Sequence, residues 1–215
     1  MRSNHYHLQF ITHYSDLYSY IDSARLALQG GCRWIQLRIK GADEELLERS
    51  ALVVKQMCGE YDATFIIDDD VLLARRIGAD GVHLGKDDMP IAQARAILGS
   101  EYIIGATVNS YEDIMSHLGA MPDYFGCGPF RYTTTKERLA PTLGIEGYRC
   151  IIRKMRDNNI HTPLVAIGGI TKSDIAQLME CGIDGIALSG SILRAQNPIS
   201  EMQEIANMLR RYIIN

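Results

Sequence analysis

A chain of 215 residues with a formal net charge of -4 is long enough to bury a full core, and it lacks the basic excess that nucleic-acid binding draws on. Hydrophobic residues make up 47% of it and the mean hydropathy is -0.07, which excludes a disordered chain. No apolar run reaches the roughly 18 residues of a membrane span, and the opening MRSNHYHLQF has no apolar signal region, so a cytoplasmic location is expected.

The first β-branched run, LQFIT at 8–12, precedes an amphipathic segment from Asp16 to Gln29. The next, WIQLRI at 34–39, ends in QLRIK, where a period of two puts Gln36, Arg38 and Lys40 on one side and Leu37 and Ile39 on the other. Such a polar row is costly to bury unless something negative meets it. Arg offers phosphate oxygens a planar fork and Lys a point charge. A solvated strand end is the plainer alternative. Leu47, Ala51, Val54 and Cys58 then share one helical face.

TFIID at 64–68 runs into Asp68, Asp69 and Asp70, followed by the short helical segment VLLARRI. One carboxylate suffices as a helix cap, and three adjacent ones repel unless a divalent cation relieves them. GVHLG at 81–85 leads to Lys86, Asp87 and Asp88, so two neighbouring strand ends supply carboxylates. Mg²⁺ is commonly held by one or two carboxylates together with waters and substrate phosphates. His83, inside the apolar strand, reads as a hydrogen-bonded core histidine rather than an acid-base group.

After a helix at Ile91–Leu98, YIIGAT ends at Thr107, a hydroxyl facing the same end of the strands; a helix at Tyr111–Leu118 follows. YFGCG at 124–128 opens into GPFRYTTTKERLAPTLG at 128–144. A solvated loop would account for that composition, but the hydroxyls of Thr133, Thr134 and Thr135 with the ammonium of Lys136 suit phosphate oxygens, and a strand-to-helix loop of this length is commonly a lid or binding loop. Beyond a helix at Gly144–Arg156, PLVAIG at 163–168 leads to Gly168 and Gly169. GIALSG at 185–190 ends at Ser189 and Gly190. Helices at Ser173–Met179 and Glu201–Arg211 complete the series. The five cysteines, Cys32, Cys58, Cys127, Cys150 and Cys181, form no C-x-x-C pair and are expected as small buried apolar groups.

Eight strand-then-helix units without a linker predict a single-domain (β/α)₈ TIM barrel over residues 1–215. A doubly wound open sheet is the alternative, without the G-x-G-x-x-G that would favour it. In a barrel the strand ends converge on one rim. The residues there suggest two anion sites, one basic and metal-assisted at strands two to four, and one of backbone amides at strands seven and eight.

In order, QLRIK, IIDDDV, DGVHLGKDD, IGAT, GPFRYTTTK, AIGGI and ALSGSI resemble the thiamine phosphate synthase family, and the similarity spans most of the chain. The resemblance implies a transferase joining 4-amino-2-methyl-5-(diphosphooxymethyl)pyrimidine to thiazole phosphate, with release of pyrophosphate. Gln36, Leu37, Arg38, Ile39, Lys40, Asp68, Thr107 and Lys136 would contact the pyrimidine diphosphate, with Arg38, Lys40 and Lys136 stabilising the leaving group. Asp69 and Asp88 would hold Mg²⁺. Thr133, Thr134, Thr135, Gly169, Ser189 and Gly190 would contact the thiazole phosphate. Both partners would be small molecules, with neither nucleic acid nor membrane involved, and a homo-oligomer is left open. Asp68 stands where the family generally has Asn, Lys86 where it has Gln and Thr107 where it has Ser. Arg131 and Tyr132 replace an aromatic and a proline, and Arg131 is available to offset the charge of Asp68. The rival readings are a thiazole tautomerase on the same barrel, which would need a His near the end of the fifth strand, a noncatalytic precursor-binding regulator, and a generic phosphate-binding barrel enzyme.

Overall fold

The period-two pattern of the apolar runs decides the architecture. In a computed structural model, which describes residues 6–132 and 141–213, eight parallel strands pair in sequence order and close into a barrel. They are β1 (Leu8–Ile11), β2 (Trp34–Leu37), β3 (Thr64–Asp68), β4 (Gly81–Leu84), β5 (Ile103–Val108), β6 (Tyr124–Cys127), β7 (Leu164–Ala166) and β8 (Gly185–Leu188). Pairing of Leu8 with Ile186 and Phe10 with Leu188 closes the ring. The helices are α1 (Tyr20–Gln29), α2 (Glu44–Glu60), α3 (Val71–Ile77), α4 (Ile91–Leu98), α5 (Tyr111–His117), α6 (Gly144–Asp157), α7 (Ile175–Glu180), α8 (Gly190–Leu193) and α9 (Pro198–Ile213).

Alternate residues of each strand point to opposite faces, so the two sets build two cores. Phe10, Ile35, Leu37, Phe65, Ile67, Val82, Ile104, Phe125 and Ile186 face outward and are buried with the helices. Ile11, Trp34, Ile66, Ile103, Tyr124, Val165 and Ala187 fill the inside of the barrel. There the Trp34 and Tyr124 rings meet edge-on at 4.8 Å, and Tyr6 packs against both. Gly105 makes room for this cluster, since a methyl group there would lie 2.2 Å from Tyr124 Cζ.

The opposite faces of the barrel carry different residues. At the lower rim Asp80, Asp123 and Asp184, each just ahead of an even-numbered strand, accept an amide from the first or second residue of the strand before: Phe65 at 2.7 Å, Ile104 at 2.7 Å and Leu164 at 2.8 Å. These bonds satisfy strand-end donors that no ladder reaches. At the upper rim the chain instead turns into helix caps. Ser19 and Ser110 form capping boxes with Asp22 and Asp113, and Asp43 and Asp70 cap α2 and α3.

The cysteines depart in part from expectation. Cys32, Cys58 and Cys127 are buried, but Cys150 is exposed because it lies on the outer side of α6, and Cys181 is half-buried; all are free thiols. Among the described residues, no helix is long and apolar enough to cross a membrane.

Candidate active site

The inward positions that follow the apolar layer open onto a cavity of about 320 Å³ at the carboxyl ends of the strands. Its first wall comes from β2, β3 and β4. Trp34 belongs to the interior core, so Gln36 and Arg38, two and four residues on, point inward above it. The Gln36 amide donates to Asp68 Oδ1, and Arg38 Nε lies 3.2 Å from Asp68 Oδ2. Gln36 Oε1 is buried without a partner, an acceptor held ready at the floor of the cavity. Lys40 is exposed at the rim and lines the same space.

Backbone geometry separates the three consecutive carboxylates. Asp70 accepts the Leu73 amide at 2.8 Å and is the cap of α3. Asp69 adopts a left-handed φ of 66° while its amide bonds to the His83 carbonyl at 2.9 Å, and its side chain enters the cavity lining. Asp88 Oδ2 accepts the Gly85 amide at 2.6 Å, and a methyl group at Gly85 would crowd that oxygen at 2.8 Å. Burial pushes the Asp68 carboxyl up, against the pull of Arg38 and Gln36. Burial also pushes the Asp69 carboxyl up, helped by the nearby charge of Asp68 and by the neighbouring Asp88 carboxyl. A divalent cation between these carboxylates would relieve their repulsion. Among the described residues no group of three His, Cys, Asp or Glu side chains is placed to hold a metal. The neighbouring Asp69 and Asp88 carboxylates are a donor pair of the kind that Mg²⁺ can complete with water and phosphate oxygens.

The floor is a hydrogen-bonded chain. Thr107 Oγ1 lies 3.0 Å from His83 Nε2, and His83 Nδ1 lies 2.9 Å from the Tyr124 hydroxyl, which also accepts from Gln9 at 3.3 Å. Both ring nitrogens of His83 are engaged, as the sequence reading of a hydrogen-bonded histidine expects, but the ring also lines the cavity.

Among the described residues, the second wall contributes no acid to the cavity lining. Gly128 lets β6 and β7 approach, since a methyl group there would be 2.3 Å from the Ile167 carbonyl oxygen. The Phe130 and Arg131 amides then bond to the carbonyls of Ile167 at 2.8 Å and Gly168 at 3.1 Å. Gly168 and Gly169 have φ of 99° and 68°, a conformation open to glycine at no steric cost. Beside them Ser189 and Gly190 follow β8, and Ser189 Oγ is buried without a partner.

One cavity therefore gathers Gln36, Arg38, Lys40, Asp68, Asp69, Asp88, Thr107, Gly169, Ser189 and Gly190. Leu37 and Ile39 turn the other way. Leu37 is fully buried between barrel and helices and Ile39 packs against the same core, so their side chains are kept from the cavity by strand alternation. Thr133, Thr134, Thr135 and Lys136 lie outside the described residues. Arg131 does not meet Asp68. It forms a fork with Asp174 instead, because the chain leaving β6 bends toward β7. Lys86 pairs with Asp113 at 2.6 Å. Two lining residues carried no sequence signal. Asn109 donates to the Gly128 carbonyl, and Arg194 lies across Gly190, its Nη1 3.0 Å from where a Cβ would be.

A closed (β/α)₈ barrel with charged and glycine-rich strand ends around one rim is a protein of the TIM-barrel class whose cavity suits anionic small molecules. Comparison with known proteins narrows the class. The profile described as thiamine monophosphate synthase matches residues 8–192, and the chain belongs to that family. A thiamine-phosphate synthase from Phocaeicola vulgatus is 60% identical over 201 residues, covering 94% of this chain and 97% of the relative. One from Bacteroides thetaiotaomicron is 55% identical over 203 residues, with 94% and 97% covered. The solved structure of thiamine phosphate pyrophosphorylase from Pyrococcus furiosus superposes with a TM-score of 0.86 at 34% identity over 98% of each chain. The chain is a transferase of thiamine biosynthesis.

Proposed function

We propose that this chain, taken as one barrel domain, couples 4-amino-2-methyl-5-(diphosphooxymethyl)pyrimidine with thiazole phosphate. The bond from the pyrimidine methylene to the diphosphate oxygen breaks with its electron pair on oxygen, and the thiazole nitrogen then attacks the methylene carbon. Pyrophosphate and thiamine phosphate leave. The observation that carries this reading is the pairing of two unlike walls on one cavity, one of Arg, Lys and carboxylates and one of glycines with an unpartnered serine hydroxyl.

Arg38 and Lys40 bind the diphosphate and stabilise the negative charge that grows on it as the bond breaks, an interaction stronger in the transition state than in the ground state. Asp68 orients Arg38 and Gln36, and the free carbonyl of Gln36 is placed to accept from an amino group on the pyrimidine ring. Asp69 and Asp88 would hold Mg²⁺, which when bound supplies further positive charge to the diphosphate. Thr107 donates from the floor. The Gly169 turn with Ser189 and Gly190 orients the second substrate by its phosphate, so that the attack is intramolecular in effect. Lys136 and Thr133 to Thr135 join these groups on the strength of the family resemblance. No covalent nucleophile is needed. The partners are the two small molecules, and a cytoplasmic setting suits them.

The test mixes both substrates with Mg²⁺ and measures thiamine phosphate and pyrophosphate. Equimolar appearance of the two is expected. Conversion of the thiazole phosphate alone, or no product from the pair, would overturn the reading.

A further inference from the structure

Arg131 stands where the family resemblance leads one to expect an aromatic residue, at the exit from β6, and its side chain runs along the β7 turn rather than into the cavity. Its Nη1 and Nη2 donate to Asp174 Oδ2 at 2.7 Å and Oδ1 at 2.6 Å, and Nη1 donates again to the Gly169 carbonyl at 3.0 Å. Its guanidinium carbon lies 4.8 Å from the centre of the Phe130 ring. Asp174 is only 4% exposed, and its Oδ2 also accepts from the Thr171 amide and hydroxyl, each at 2.8 Å. One side chain thus grips both ends of the segment from Gly169 to Asp174. It also lies on the turn itself, since a Cβ at Gly169 would be 2.5 Å from Arg131 Cγ. The Arg131 side chain is itself 44% exposed, but its fork to a buried carboxylate has a geometry fixed by two parallel bonds.

We propose that Arg131 is a positioning residue for the phosphate of the second substrate. It touches no substrate. By holding the Gly169 carbonyl outward and the Thr171–Asp174 turn in place, it fixes the direction in which the Gly168–Ile170 main chain faces the cavity. The proposal rests on reading that turn as part of the thiazole phosphate site.

Steady-state kinetics of Arg131→Ala with each substrate varied in turn should show KM for thiazole phosphate raised about tenfold or more, with KM for the pyrimidine diphosphate within about twofold of wild type. Arg131→Lys, which keeps the charge and loses the fork, should fall between. Calorimetric binding of thiazole phosphate and of the corresponding thiazole alcohol, without the other substrate, separates the two layers of inference. Wild type should prefer the phosphate, and Arg131→Ala should lose most of that preference while binding the alcohol as before. If wild type itself fails to prefer the phosphate, the reading of the turn falls and the proposal with it. If wild type and Arg131→Ala discriminate equally, only the role of Arg131 falls. Should the alanine variant not fold, Arg131→Lys and Asp174→Asn replace it, and an equal rise in both KM values would reduce the fork to a purely structural pair.

Discussion

Removing Arg38 has two effects at once, and a double-mutant cycle separates them. In the folded chain Arg38 faces Asp68 at 3.2 Å with side chains only 18% and 10% exposed. At that distance and an effective dielectric constant of about 20, the gross attraction is on the order of 5 kcal/mol. Much of it is offset by desolvation, and measured couplings between touching residues are usually about 0.5–3 kcal/mol. On the proposed role of Arg38, Arg38→Ala would lose the attraction for the diphosphate and leave the Asp68 carboxylate facing that same anion. Arg38→Ala with Asp68→Asn loses only the first. We therefore expect Asp68→Asn alone to retain activity, and to exceed wild type at low Mg²⁺, because the amide keeps the Gln36 contact and frees the guanidinium. Arg38→Ala should lower kcat/KM for the pyrimidine diphosphate by about 100-fold or more, and the double variant should recover about tenfold of that, a coupling of about 1.4 kcal/mol. The assay is pyrophosphate release at saturating thiazole phosphate. Losses that add within about 0.4 kcal/mol would refute the reasoning, since Arg38 and Asp68 would then act independently in the substrate complex.

Chelation should abolish product formation and Mg²⁺ should restore it; full turnover in excess EDTA would exclude the Asp69–Asp88 assignment. Gly105→Ala would drive a methyl group to 2.2 Å from Tyr124 Cζ and 2.5 Å from His83 Nδ1. Overpacking of this kind costs about 1–3 kcal/mol, which is a fall in Tm of roughly 3–10 °C for a chain of this size, and an unmoved calorimetric Tm would show that the ring shifts freely. Burial raises the Asp174 carboxyl, but the Arg131 fork and the Thr171 donors outweigh it and hold its pKa below the ordinary 3.8. Because the folded value is the lower one, the ionised group stabilises the fold above the unfolded pKa and ceases to do so as pH falls through the folded value. Denaturant melts should therefore show Asp174→Asn less stable than wild type at neutral pH, with the gap closing below about pH 4; a constant gap would disconnect the carboxylate charge from stability.

The barrel was legible because each strand is a short β-branched run with an amphipathic helix behind it, and all eight runs named from the sequence are strands. The start of α1 was placed too early, at Asp16, because apolar Leu17 and Tyr18 extend the periodicity. In the fold Ser15 and Tyr18 close a turn on each other and Ser19 caps the helix. The single turn α8 is too short to show any period. Within the site, alternation was enough to separate Gln36 and Arg38 from Leu37. It could not tell which of three aspartates caps α3, a distinction set by the left-handed φ of Asp69. The partner of Arg131 lies 43 residues away on another loop, and Arg194 reaches Gly190 only through one turn of helix. Pairings of that kind are fixed by closure of the barrel and leave no mark on neighbouring residues.

The aromatic cluster of Tyr6, Trp34 and Tyr124 packs the barrel interior beneath the cavity, so among the described residues the cavity opens at the rim of carboxyl-terminal strand ends. Two reactants and two products must share it. Among the described residues, that traffic passes across the face of the barrel where the two unlike walls meet.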